Sequence, residues 1–196
     1  MSHRSVGVYL GSAMGNQSIY KETAIKLAEG MARLGLTLVY GGASIGLMGI
    51  LAKTMKANGG KVIGVITEHL ASKEISFQDA DEMYVVDSMY ERKRLIHEKS
   101  SQFLVFPGGL GTFDEFFETW CNIKIGVIQK PIGFLNLAGF YDLIFQFLRN
   151  CQQEGFLTDK QLNIPSIYPD IQSCLLDLKQ QNAHINQEDN AFLLHS

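Results

Sequence analysis

Residues Phe103 to Glu115 read Phe-Leu-Val-Phe-Pro-Gly-Gly-Leu-Gly-Thr-Phe-Asp-Glu, and the order of those residue types decides the fold. Four apolar residues of high strand propensity run into Gly108, Gly109 and Gly111, and after Thr112 the apolar spacing becomes helical. Strand, tight turn and helix in that order leave the first helix amides without intrahelical partners and facing whatever approaches the turn. Such a place suits an anion, most readily a phosphate. The same letters carry a structural reading: Thr112 as the helix N-cap, with Glu115 three residues on closing a capping box.

The pattern repeats on either side. Ser5 to Leu10 fits a first buried strand ending at Gly11 and Ser12, and Ile19 to Leu34 a helix stopped by Gly35. Leu36 to Tyr40 predicts a second strand, feeding a second glycine-rich loop at Gly41 to Gly49 and a helix that stops at Asn58-Gly59-Gly60. Val62 to Ile66 and Glu82 to Val86 predict strands three and four, separated by a loop that carries at most one short helix. Ser88 to Ser101 is a helix dense in charge, Phe103 to Phe106 the fifth strand, Thr112 to Ile125 its helix and Pro131 to Leu135 a sixth strand. Helices over Phe140 to Glu154 and Asp170 to Gln181 complete the chain before a polar tail, 182–196.

Strands alternating with helices imply right-handed crossovers, and hence a single α/β domain over 1–181: a Rossmann-like, doubly wound parallel sheet with helices on both faces. Ligands of such sheets bind beyond the carboxyl ends of the strands, where strand order reverses. The glycine turns after strands one, two and five should therefore converge on one crevice.

Composition narrows the function. With 46% hydrophobic and 19% charged residues, the 196-residue chain is an ordinary globular protein. A net charge of −3 disfavours a nucleic acid as partner, since no basic surplus is present to neutralise phosphates. Cys121, Cys151 and Cys174 are odd in number and widely spaced, which points to reduced thiols and a cytoplasmic protein. No apolar run reaches membrane length, and the N-terminus lacks the pattern of a signal peptide. His3, His69, His97, His184 and His195 show no metal-ligand spacing, so no metal is expected. There is no GxxxxGK[ST], and no strand is followed by a clean GxGxxG with an acidic residue about twenty positions on, so a mononucleotide-sized ligand fits better than a dinucleotide. Arg92 stands in a charge run that would ordinarily be a solvated face, but its helix starts just after strand four and its first turn points at the crevice. Cys121 reads as a small buried residue of the helix after the turn.

Laid out this way, the chain resembles the LOG family of cytokinin riboside 5'-monophosphate phosphoribohydrolases, often mislabelled lysine decarboxylases. The family signature PGGxGTxxE is complete at Pro107 to Glu115, and the likeness extends from about Val6 to about Leu178 through Val39-Tyr40-Gly41-Gly42, Gly46-Leu47-Met48-Gly49 and Met89-Tyr90-Glu91-Arg92-Lys93. The resemblance implies hydrolysis of the N-glycosidic bond of a nucleoside 5'-monophosphate, without a cofactor, by a homodimer. It implies Arg92 and Glu115 as the catalytic pair. It carries over substrate contacts to Glu74, Lys93, Gly109, Leu110, Gly111 and Thr112, and also to Ser12, Gly42 and Met48. A lysine decarboxylase would need a pyridoxal phosphate site built on a lysine Schiff base, and none is recognisable. The alternative from another class is a nucleotide carrier or sensor that binds phosphate on the same loop and cleaves nothing. The chain departs from the family pattern at Ala43, at Thr67, and at Cys121, where relatives tend to carry a threonine expected near the substrate.

Gln in place of Glu115 would still close a capping box but supplies no carboxylate. Read from sequence, Glu115→Gln keeps stability within about 1 kcal/mol and loses on the order of 10²-fold in hydrolysis of AMP, measured by denaturation and by release of free adenine.

Overall fold

The computed structural model describes residues 4–72 and 76–181. Glu74 and the tail from 182 lie outside them. Seven strands, β1 (Ser5–Tyr9), β2 (Thr37–Tyr40), β3 (Val62–Thr67), β4 (Glu82–Val86), β5 (Gln102–Val105), β6 (Ile132–Leu135) and β7 (Ser166–Tyr168), form one sheet in the order β4-β3-β2-β1-β5-β6-β7. Every neighbouring pair runs parallel. The connections are α1 (Ser18–Arg33), α2 (Gly46–Ala57), α3 (Glu68–Ala71), α4 (Met89–Lys99), α5 (Leu110–Lys124), α6 (Asp142–Gln153), α7 (Asp159–Leu162) and α8 (171–181). This is the α/β, doubly wound, Rossmann-like sheet that the alternating pattern requires.

The five inner strands are buried along their whole length, because helices cover both faces. Alternate side chains enter separate cores. Val6, Val8, Leu104 and Phe106 pack with Leu27, Met31 and Leu51 from α1 and α2, whereas Tyr9, Phe103 and Val105 pack with Ile96, Phe116 and Trp120 from α4 and α5. Winding proceeds outward from β1 to β4 on one side, then α4 carries the chain back to β5, beside β1 on the other. That reversal opens the sheet's carboxyl edge between β1 and β5.

Two short elements were not anticipated. β7 is a three-residue edge strand behind Pro165, too short to show a period. α7 has a complete capping box between Thr158 and Gln161, a signature that stood in the sequence. A larger correction concerns α5. It begins at Leu110 with Gly109 as N-cap, so Thr112 lies in its first turn and Glu115 in its second, and there is no capping box at Thr112 and Glu115. Leu110 is 85% exposed, so it adds nothing to an apolar period and hides the true start.

The loop Gly41 to Gly49 holds the sheet edge together. Gly46 has φ +55°, and a Cβ there would lie 2.0 Å from the Ser12 carbonyl oxygen. Gly46→Ala is therefore expected to cost about 3 kcal/mol or more. Gly35→Ala, equally left-handed at φ +66° but facing open space, should cost about 1 kcal/mol. Urea denaturation of the two variants measures the difference, and equal losses would count against the close backbone approach.

Candidate active site

The carboxyl ends of β1, β3, β4 and β5 surround a cleft of about 480 Å³. Gly11 and Ser12 come from the β1 turn, Met48 from the first turn of α2, Arg92 from α4, and Gly109, Leu110, Gly111, Thr112 and Glu115 from the β5 turn and α5. The expected convergence of turns is thus realised. Leu10 adds to the β1 side, and Thr67, His69, Leu70, Asp87 and Met89 close the rest of the wall. Sequence reading passed over these five as site residues, although each lies at or just past the carboxyl end of β3 or β4, which was the available signal.

The two glycine-rich loops are put to different uses. At the start of α2, the amides of Leu47 and Met48 donate to the carbonyls of Ala13 and Gly11, both at 3.4 Å, so that helix end is closed by the β1 turn. Thr67 caps α3 through the Leu70 amide at 3.3 Å, and Ser88 caps α4 through the Glu91 amide at 3.2 Å. α5 has no side-chain cap, and among the described residues its amides at Leu110, Gly111 and Thr112 meet no acceptor. Gly109 and Gly111 have nothing within 4 Å of where a Cβ would stand. The α5 terminus therefore presents unpaired N–H donors and the positive end of a helix dipole to the cleft. Gly108 lies beneath, where a Cβ would reach Thr112 Oγ1 at 2.1 Å and the Gly11 amide at 2.8 Å, so glycine lets the β1 and β5 turns touch.

Behind this anion seat, Arg92 and Glu115 form a buried ion pair. Arg92 Nη1 donates to Glu115 Oε1 at 2.8 Å, and Nε donates to the Val65 carbonyl at 3.0 Å. The residues are only 4% and 3% exposed. Burial pushes the Glu115 carboxyl up from its ordinary value of 4.5, and the adjacent Arg92 charge opposes that rise. A Cβ on Gly41 would lie 2.2 Å from Arg92 Nη2, so this glycine is the berth of the guanidinium.

Two expected contacts, Lys93 and Gly42, do not line the cleft. Lys93 is turned to the outer side of α4, ion-paired with Asp114 at 3.1 Å and with Glu118. Gly42 is structural: φ is +80°, its carbonyl accepts from the Phe77 amide at 3.0 Å, and Ile66 and Met83 crowd the space a side chain would need. Glu74 lies outside the described residues. Cys121, expected to be buried, is exposed on α5 and borders a separate surface groove with Phe117 and Trp120, because the helix has turned away from the cleft by then. Thr67 and Ala43, two other departures, take local roles: the α3 cap, and an isolated bridge to Ser76.

The model of a family described as "Possible lysine decarboxylase" matches residues 48–178. The cytokinin riboside 5'-monophosphate phosphoribohydrolase LOG2 of Arabidopsis thaliana is 36% identical over 155 residues, covering 79% of this chain and 73% of its own length. The chain belongs to the LOG family. The LOG protein of Oryza sativa subsp. japonica, named for the same activity, is 35% identical over 177 residues and spans 90% of this chain and 73% of its own. Among solved structures, the molybdenum cofactor carrier protein of Chlamydomonas reinhardtii superposes with a TM-score of 0.69 at 21% identity, covering 92% of this chain and 99% of that one. A molybdenum cofactor binding protein from Rippkaea orientalis gives 0.68 at 22%, covering 92% and 98%. At those identities the likeness is one of fold.

The decarboxylase description does not fit the site, since among the described residues no lysine lines the cleft to form a Schiff base with pyridoxal phosphate. The groups present are the Glu115 and Asp87 carboxylates, the His69 imidazole, the fixed Arg92 guanidinium and a row of open amides. The geometry also gives the expected stability of Glu115→Gln another basis. Burial already disfavours the charged carboxylate, and a neutral Gln can still accept from Arg92 Nη1, so the variant should lose no more than about 2 kcal/mol. Gly41→Ala, which crowds the guanidinium, should lose about 1–3 kcal/mol. Urea unfolding monitored by the fluorescence of Trp120 reads both.

Proposed function

We propose that this protein hydrolyses the N-glycosidic bond of a nucleoside 5'-monophosphate, AMP or an N6-modified AMP of the cytokinin type, to free base and ribose 5-phosphate. The observation that carries this reading is the buried Arg92–Glu115 pair beside the open amides of α5: an anion seat within one helical turn of a carboxylate. The names of the LOG relatives support the same reaction.

In this reading the phosphate monoester rests on the amides of Leu110, Gly111 and Thr112, and its binding holds the ribose against Glu115. As the bond from C1' to the ring nitrogen lengthens, its electron pair leaves with the base and positive charge builds on the sugar, as in other glycoside hydrolyses. The Glu115 carboxylate stabilises that charge and takes a proton from the attacking water, whose oxygen bonds to C1'. The departing base takes up a proton from solvent and Glu115 later returns its own to solvent, so that one water is consumed in all. Arg92 holds Glu115 in place through Nη1 and favours its charged form against the cost of burial, while Gly41 and the Val65 carbonyl fix the guanidinium plane.

We further read the protein as a cytosolic homodimer. Ile125, Val127, Phe147 and Phe156 are 64–80% exposed on and beyond α5 and α6, the kind of apolar surface that a second copy would cover. Among the described residues no helix is long and apolar enough to cross a membrane.

Incubation of purified protein with AMP should release adenine and ribose 5-phosphate in equal amounts, and Glu115→Gln should lower kcat by about 10²-fold or more. Because burial raises the Glu115 carboxyl above 4.5, turnover should fall on acidification through an apparent pKa above the ordinary carboxylate range, and residual turnover of the Gln variant should lack that limb. For stability the sign is opposite. The folded protein keeps this proton to higher pH than the unfolded chain, so the group favours folding in acid and its contribution is lost as pH rises from about 4.5 through the folded value. Nucleotide binding with no base released would favour a carrier and overturn the hydrolase reading.

A further inference from the structure

The carboxylate turn of α5 is fastened from behind by a group of three side chains, two buried and one part-buried, that the reaction above does not use. Thr119, one turn beyond Glu115 and fully buried, donates from Oγ1 to the Glu115 carbonyl at 2.8 Å. The same oxygen lies 2.9 Å from the Tyr9 hydroxyl of β1 and 2.9 Å from His97 Nε2 of α4.

Counting protons fixes the direction of each bond. A threonine hydroxyl has one hydrogen, and here the Glu115 carbonyl takes it. Both lone pairs of Oγ1 are then acceptors, so Tyr9 O–H and His97 Nε2–H donate to it, and the imidazole carries its proton on Nε2. The Thr119 and Tyr9 hydroxyls are both satisfied in a buried place, with the part-buried His97 ring beside them, the condition under which such a network rigidifies rather than weakens a core. Phe103 supports it from below, stacked on Tyr9 at 5.8 Å and edge-on to His97 at 5.4 Å.

The placement matters more than the count. Arg92 and His97 both belong to α4, and Glu115 and Thr119 both belong to α5. The two helices are therefore joined by two rungs, the buried Arg92 to Glu115 pair and the part-buried His97 to Thr119 contact, and the second is also tied to the sheet through Tyr9. A backbone carbonyl that receives a side-chain hydroxyl in addition to its helical N–H can be drawn off the ideal helix line. Here the carbonyl so held is that of Glu115 itself.

We propose that Thr119 is a positioning residue for Glu115: its hydroxyl, held by Tyr9 and His97, sets the rotation of the α5 turn that aims the carboxylate at Arg92 and the cleft. This rests on the hydrolase reading for its kinetic consequence, and on the bond geometry alone for its structural one. Thr119→Val keeps shape and burial but removes the hydroxyl. It should lower kcat for AMP about tenfold with KM within about twofold, since misaim of a reacting group is felt in turnover more than in phosphate binding. Thr119→Ser restores the hydroxyl and should recover kcat to within about threefold of the parent. A merely structural threonine would shift the melting temperature of the Val variant and leave the ratio of kcat to KM effects untouched.

Tyr9→Phe removes one donor only and serves where Thr119→Val does not fold; it should lower kcat about threefold, and an unchanged kcat there would overturn the proposal. A crystal structure of the Val variant, or of Tyr9→Phe in its place, separates this inference from the reaction itself. A parent that releases no adenine overturns the hydrolase reading, yet Glu115 displaced from Arg92 in the variant would still support positioning. A carboxylate that stays at the parental 2.8 Å, or parental kcat in a folded Val variant, would overturn it.

Discussion

Everything at the carboxyl edge of this sheet depends on keeping two opposite charges out of water. Burying an isolated carboxylate or guanidinium costs several kcal/mol, and their mutual attraction offsets that only where geometry is good and the remaining donors are met. Arg92 and Glu115 satisfy both conditions: a 2.8 Å contact between them and a 3.0 Å bond from Arg92 Nε to the Val65 carbonyl. That requirement explains nearby features that otherwise look unrelated. Gly41 has no side chain because the guanidinium occupies the space, and α4 and α5 must run close enough for the Arg92 side chain to bridge them. A pair with this much desolvation is weak evidence for stability by itself and better understood as a group held ready for use.

The contrast between the glycine-rich loops shows how backbone hydrogen bonding separates scaffold from site. Both loops follow a parallel strand, both open a helix, and both are rich in glycine. At α2 the leading amides are spent on the carbonyls of Gly11 and Ala13, and the glycines there permit two backbones to meet. At α5 the leading amides are left open toward the cleft, and Gly109 and Gly111 border empty space. A buried amide without an acceptor is costly, whereas one facing a solvent-filled cleft is not, so an open helix end at a cleft is tolerable and available to an anion.

The family assignment and the site bear on each other without being the same claim. Relatives near 35% identity fix the family, and the solved structures near 21% identity fix only the fold. The description of the family as possible lysine decarboxylases finds no support in a cleft whose described lining carries an arginine and a glutamate and no lysine. What the cleft can do follows from its own groups, an anion seat next to a carboxylate of raised proton affinity. Behind that carboxylate the Tyr9 hydroxyl and the His97 imidazole meet at the Thr119 oxygen that holds the Glu115 carbonyl.

The alternation of short apolar runs with helical periods was sufficient to specify a parallel, doubly wound sheet, because strands buried on both faces and crossover helices leave distinct periods in the chain. The signature turn at Pro107 to Glu115 and the placement of Arg92 after strand four were legible for the same reason, being local in sequence and set by strand ends. Other things were not local. Thr112 looked like an N-cap because Leu110 is exposed and silent in the periodicity, and Lys93 looked like a ligand contact until α5 supplied Asp114 and Glu118 to hold it outward. Cys121 and Gly42 were misjudged because burial and crowding come from distant segments. Periods and turns are recorded one residue at a time along the chain, but which amides stay unpaired, and which charge meets which, are settled only when segments far apart in sequence compete for the same few ångströms.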